Sequence, residues 1–107
     1  MPLPIYSTQL FLGTLTVVSA WTPFYTVPSG RVLLLRSIRV RNGTGAISSL
    51  NLGVTGPITF FSESARPAAD EFEWSGWYVL NAGQQLLYFA DHAPWNCWAS
   101  GQLLTIA

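Results

Sequence analysis

The sequence predicts an all-β protein: a single antiparallel β-sandwich or jelly roll of about seven to eight short strands. Three observations carry this expectation. Short runs rich in Val, Ile, Thr, Tyr, Phe and Trp are separated by Pro, Gly and Asn turn signals along the whole chain. No segment of helix length shows an apolar period of 3.6 residues. The 107 residues suffice for one hydrophobic core and not for two, so residues 1–107 read as one domain.

Residues 10–20 carry Thr, Val and Leu in partial alternation and form the first expected strand. The N-terminal segment 1–20 is open to pairing within its own sandwich or with a neighbouring subunit. Residues 10–18 are apolar, but residues 1–9 lack the positive charge of a signal peptide, and Gly13, Thr14 and Thr16 interrupt the run. The segment therefore reads as retained structure, and no apolar stretch is long enough to span a membrane.

Thr22-Pro23 and Val27-Pro28-Ser29-Gly30 read as turns. Residues 31–41 form the strongest strand, in which Ile38 and Val40 share one face and Arg39 and Arg41 the other. Asn42-Gly43-Thr44-Gly45 then predicts a hairpin turn into residues 47–54, with Gly43 at a positive φ. Residues 58–61 make a further short strand, and the polar residues 62–71 an exposed, mobile loop. Residues 72–80 and 85–90 are strands flanking the Asn81-Ala82-Gly83 turn. Residues 95–107 supply one or two more, broken near Ser100-Gly101.

Chemistry is sparse. His92 is the only histidine and Cys97 the only cysteine, so an intramolecular disulfide is excluded and a His–Cys dyad lacks an orienting third group. Neither a zinc spacing nor a calcium loop occurs, and the glycines form no phosphate-binding loop, so no cofactor is expected. Asn42-Gly43-Thr44 matches the glycosylation sequon by letter, but the turn reading is favoured. These features predict a protein that is not an enzyme.

Composition points instead to protein contacts. Half the residues are hydrophobic and only 9% charged, the net charge is zero, and all five basic residues are arginine. Arg is enriched and Lys depleted at interfaces, and a neutral chain associates readily. The same neutrality argues against a nucleic-acid partner, whose phosphates demand a basic face. Leu33, Leu34 and Leu35 run consecutively, so whichever way their strand faces, some leucine points away from the core. Leu33, Leu35, Arg39, Arg41, Trp95 and Trp98 are the candidate interface residues. Arg39 and Arg41 suit either a solvated sheet face or bidentate contacts with a neighbour's carboxylates. Trp74, Trp77, Tyr78, Trp95 and Trp98 crowd one quarter of the chain, where core burial, interface anchoring and sugar stacking compete.

The segments Val27-Pro28-Ser29-Gly30-Arg31-Val32-Leu33 and Leu35-Arg36-Ser37-Ile38-Arg39-Val40-Arg41-Asn42 resemble a pattern in small structural proteins of tailed bacteriophages. There a VPxG turn leads into a strand of the form lRsIxvxN and a Gly-rich turn. Gly76-Trp77-Tyr78-Val79-Leu80-Asn81-Ala82-Gly83 with Leu86-Leu87-Tyr88 resembles the later LnpGdtLyv turn and strand, with Ala82 where that pattern has Pro. The ending Trp98-Ala99-Ser100-Gly101-Gln102-Leu103-Leu104 is similar in style. The resemblance implies a virion subunit of minor tail, neck or capsid-decorating type, assembled in the bacterial host cytoplasm with copies of itself and other virion proteins. For such an assembly a closed ring such as a trimer is expected over a two-fold dimer. The alternatives are a carbohydrate-binding or receptor-binding module using surface tryptophans, and a small adhesion or toxin-like sandwich.

Overall fold

The computed structural model describes residues 8–105, which form eight strands. These are β1 (Thr8–Leu15), β2 (Thr22–Thr26), β3 (Arg31–Asn42), β4 (Ser48–Val54), β5 (Ile58–Arg66), β6 (Glu71–Asn81), β7 (Gln85–Ala90) and β8 (Trp95–Thr105). They make two four-stranded antiparallel sheets, ordered β1-β8-β3-β6 and β2-β7-β4-β5. Only β4 and β5 are sequence neighbours paired in one sheet; every other link crosses to the opposite sheet. That connectivity is a jelly roll.

The core follows from strand alternation with one interruption. On β3 the fully buried apolar side chains are Leu33, Leu35, Ile38 and Val40, a spacing that slips by one residue after Leu35. A bulge at Arg36 absorbs the slip, displacing the register against both β6 and β8. Without it, Leu33 and Leu35 would face the opposite side from Ile38 and Val40. On β8, Trp95, Cys97 and Ala99 point inward, opposite Leu50, Leu52, Leu86 and Tyr88 of the second sheet. Aromatic clusters close both open flanks. Phe60 packs edge-on to Trp74 at 5.2 Å and against Tyr78 at 5.4 Å on one side, and Phe11 meets Phe24 at 5.3 Å on the other.

Several sequence expectations need correction. Thr22-Pro23, read as a turn, instead begin edge strand β2 (Thr22–Thr26), where Pro23 is tolerated because an edge need not donate every N–H. Residues 62–66 belong to β5, so the exposed loop shrinks to a short turn before β6. The final segment is one strand, the first of the two options, and it runs through Ser100-Gly101 without the expected break. Residues 42–45 do not make a hairpin, because β3 and β4 lie in different sheets. The positive φ belongs to Gly45, at 77°, and Gly43 is not among the positive-φ residues. Residues 8–15 of the N-terminal segment pair with β8 of the same chain, while residues 1–7 lie outside the described residues.

Gly101 marks where the bulge brings strands closest. A Cβ there would run into the carbonyl oxygen of Leu34 on the neighbouring strand and approach Leu33 Cδ1 to 3.2 Å. Backbone cannot yield as a flexible side chain does, so Gly101→Ala is expected to lower stability by about 1–3 kcal/mol. A thermal melt checks this, with an unchanged midpoint counting against the close approach.

Candidate functional site

Outward-facing side chains of the β1-β8-β3-β6 sheet form an exposed arrangement of aromatic and charged groups. The register lays them out in rows across the strands. One row runs Leu12–Trp98–Arg39–Glu73, and the next toward the strand ends runs Thr14–Asn96–Arg41–Glu71. A third, Ser100–Ser37–Ser75, crosses the middle, with the Ser37 and Ser100 hydroxyls hydrogen-bonded at 2.8 Å. Beyond it lie Gln102–Leu34–Val79 and Leu104–Val32–Asn81.

The serine row separates two chemistries. On one side Trp77, Val79 and Leu104 are 61%, 55% and 39% exposed, beside half-buried Leu34. The Arg36 guanidinium lies 3.5 Å above the Trp77 ring, and its buried Nε has no hydrogen-bond partner. The bulged Arg36 thus holds a cation over an indole ring, shielding part of an otherwise apolar surface. On the other side Arg39 Nη2 meets Glu71 Oε2 at 2.9 Å and the Arg39 guanidinium stands 5.8 Å from the Trp98 centroid. Both partners of that ion pair are well exposed, so it adds little stability.

The opposite sheet covers part of its own outer surface. Trp21 packs on Phe89 at 5.8 Å and lies over Gly53, where a Cβ would come within 3.0 Å of the Trp21 ring.

Three of the six candidate interface residues, Arg39, Arg41 and Trp98, sit on the outer face of the first sheet. Leu33, Leu35 and Trp95 do not, because each is fully buried in the core. The leucine that points away is Leu34. Val79 and Leu104 were not singled out by the sequence, and Trp77 entered only among its five clustered aromatics. The alternation of β6 already set Trp77 on the face opposite Trp74 and Tyr78, which was the available signal.

The residue types that could invite a catalytic reading are placed as follows. Cys97 is fully buried, and burial pushes its thiol up to about 12, far from a reactive thiolate. His92 is exposed, its Nδ1 3.1 Å from Asp91 Oδ1. That same oxygen accepts the Ser48 hydroxyl at 2.7 Å and the Ser49 N–H at 2.8 Å. Desolvation is the largest single influence on the Asp91 carboxyl and raises it, but the Ser49 and Ser48 hydrogen bonds and the His92 imidazole together outweigh it and hold the group at about 2. Ser48 is buried and donates its hydrogen bond to Asp91, not to the histidine, so no Ser–His pair of nucleophile and imidazole base forms. Its oxygen instead accepts the indole N–H of Trp95 at 3.0 Å. Asn42 of the sequon is also buried, with its amide fully engaged. Among the described residues no cluster of three or more His, Cys, Asp or Glu side chains exists to hold a metal ion.

Compared with known proteins, the chain matches no family, no curated protein and no solved structure.

Proposed function

We propose that this jelly roll is a non-enzymatic assembly subunit that packs the apolar half of its outer sheet face against a second copy of itself. The observation that carries the reading is the exposed Trp77–Val79–Leu104 surface beside Leu34, on a chain with very few charges. Exposed apolar patches normally mark interaction sites, and exposed tryptophan is a frequent energetic anchor. A net charge of zero leaves copies without the long-range repulsion that keeps strongly charged proteins apart. The resemblance of residues 27–42 and 76–88 to tailed-phage structural proteins favours a virion as the assembly, with a minor tail, neck or decoration subunit as the role. Other virion proteins are then the further partners, and the bacterial cytoplasm the place of assembly.

Size-exclusion chromatography of a Trp77→Ser/Val79→Glu double variant tests this reading. Two carboxylate-bearing strands brought face to face disfavour docking, so the variant is expected to elute as a monomer where the parent elutes as an oligomer. Both side chains point outward, so its far-UV circular dichroism should match the parent. Identical elution of variant and parent contradicts the assignment of this surface.

A further inference from the structure

The other half of the same face is built differently. Beside the serine row, Trp98, Arg39, Glu73, Ser37, Ser100 and Gln9 line a shallow depression of about 320 Å³. That volume lies at the small end of the roughly 300–1,000 Å³ of small-molecule sites. It leaves room for one six-membered sugar ring with its hydroxyls.

The lining combines one indole plane with a ring of donors and acceptors. Trp98 is 36% exposed, enough to offer part of its ring to a ligand. Arg39 supplies forked N–H donors. The ion pair to Glu71 restrains its guanidinium, yet the side chain stays accessible. Glu73 stands directly across the ladder from Arg39; its Oε1 accepts the Ser75 hydroxyl at 3.1 Å, while Oε2 meets no donor among the described residues. Ser37 and Ser100 share one hydrogen bond, so the pair retains one proton to donate and lone pairs to accept. The Gln9 amide completes the rim with both functions.

A pyranose has the complementary duality: a C–H face that packs on an aromatic ring, and hydroxyls around its edge that both donate and accept. We infer that this depression is a glycan-binding subsite, with a neutral pyranose packed on Trp98 and adjacent hydroxyls held by Arg39 and Glu73. An arginine beside a carboxylate offers donors and acceptors without net charge, which suits a neutral sugar. A second depression of about 330 Å³, lined by residues including Arg41, Asn96, Gly43 and Gly45, lies further along β3 and β8 toward the β3–β4 connection. Arg41 and Asn96 are cross-strand partners two residues from Arg39 and Trp98, a step of about 7 Å along a strand. The ligand class is therefore an oligosaccharide occupying both depressions. The inference stands apart from the assembly reading, which uses the apolar half of the face.

Screening the native chain on an array of neutral and acidic short oligosaccharides, then titrating the best array ligand by calorimetry, tests it. The expected result is saturable binding that Trp98→Ala weakens by at least about tenfold. Glu73→Gln, an exposed substitution that keeps the inference testable if Trp98→Ala fails to fold, should also weaken it. Ile58→Ser on the other sheet should not. No array ligand, or binding that survives both Trp98→Ala and Glu73→Gln, overturns the inference. So does a Trp98→Ala variant that binds no differently but loses self-association, which would make this half a protein contact.

Discussion

Trp95→Ala is expected to destabilise the protein by about 3–5 kcal/mol, the range for truncating a large aromatic in a packed core. Trp95 is the largest of the side chains the fold excludes completely from solvent. It closes the end of β8 nearest the β7–β8 turn, and its indole N–H is satisfied by the Ser48 hydroxyl, itself tied to Asp91. Truncation therefore leaves a cavity and removes the donor to Ser48. Trp77→Ala, at a side chain 61% exposed, should cost no more than about 1 kcal/mol of chain stability. Denaturant midpoints for the two variants give the comparison. Equal shifts would mean that burial does not separate the two tryptophans, contrary to their placement.

Asn42→Asp is expected to cost about 3–5 kcal/mol at neutral pH despite being nearly isosteric. The Asn42 amide donates to the carbonyls of Ala46, Arg66 and Pro67 at 2.8, 3.0 and 3.0 Å, its two N–H groups shared among three acceptors. Its oxygen accepts the Thr44 N–H at 3.0 Å and the Thr44 hydroxyl at 2.7 Å. Its backbone adds bonds to Asp70 and Ala69. One buried side chain thus fastens the end of β3 to the β3–β4 connection and to the β5–β6 turn. A carboxylate there turns two donors into acceptors facing carbonyl oxygens. Burial and those oxygens raise the pKa of the introduced carboxyl in the folded state above its unfolded value, about 3.9. The sign follows: the penalty grows as pH rises above the unfolded pKa, and shrinks on acidification, when the group is protonated in both states. Denaturant titrations of variant and parent at acidic and neutral pH read both the cost and its direction. A loss that is the same at both pH values would remove the electrostatic part of the explanation.

The Asn42 result bears on what the sequence can disclose. Asn-Gly after an alternating strand has the local chemistry of a hairpin. A corner that carries the chain to the opposite sheet uses the same residues, and only the long-range partners of Asn42 on the β5–β6 turn distinguish them. Strands β3, β4, β6 and β7 were legible nearly to their ends, because alternation is a local property. Strand β2 was hidden by Pro23, whose edge position no local pattern announces. The polar residues of β5 were hidden because an edge strand tolerates them.

On the face, Arg39 and Arg41 followed from alternation alone. The inward turn of both Leu33 and Leu35 was obscured by the bulge at Arg36, since a one-residue slip reverses which side a strand presents. Trp95 and Trp98 are three residues apart and so point to opposite sides of β8. Nothing local says which of the two is the core residue, until Ser48 is seen to lie under the Trp95 indole. The rows that join Trp98 to Arg39 and Glu73 depend on strand partners far apart in sequence, which is why the sequence named Arg39, Arg41 and Trp98 singly and did not join them with Glu73 into one site.

Sedimentation equilibrium of the purified native chain over a wide concentration range tests self-association most directly. Docking through the Trp77–Val79–Leu104 surface predicts a weight-average mass that rises with concentration to a multiple of the 11.8 kDa chain, and that stays at the chain mass in the Trp77→Ser/Val79→Glu variant. A native chain that sediments at 11.8 kDa at every concentration contradicts it.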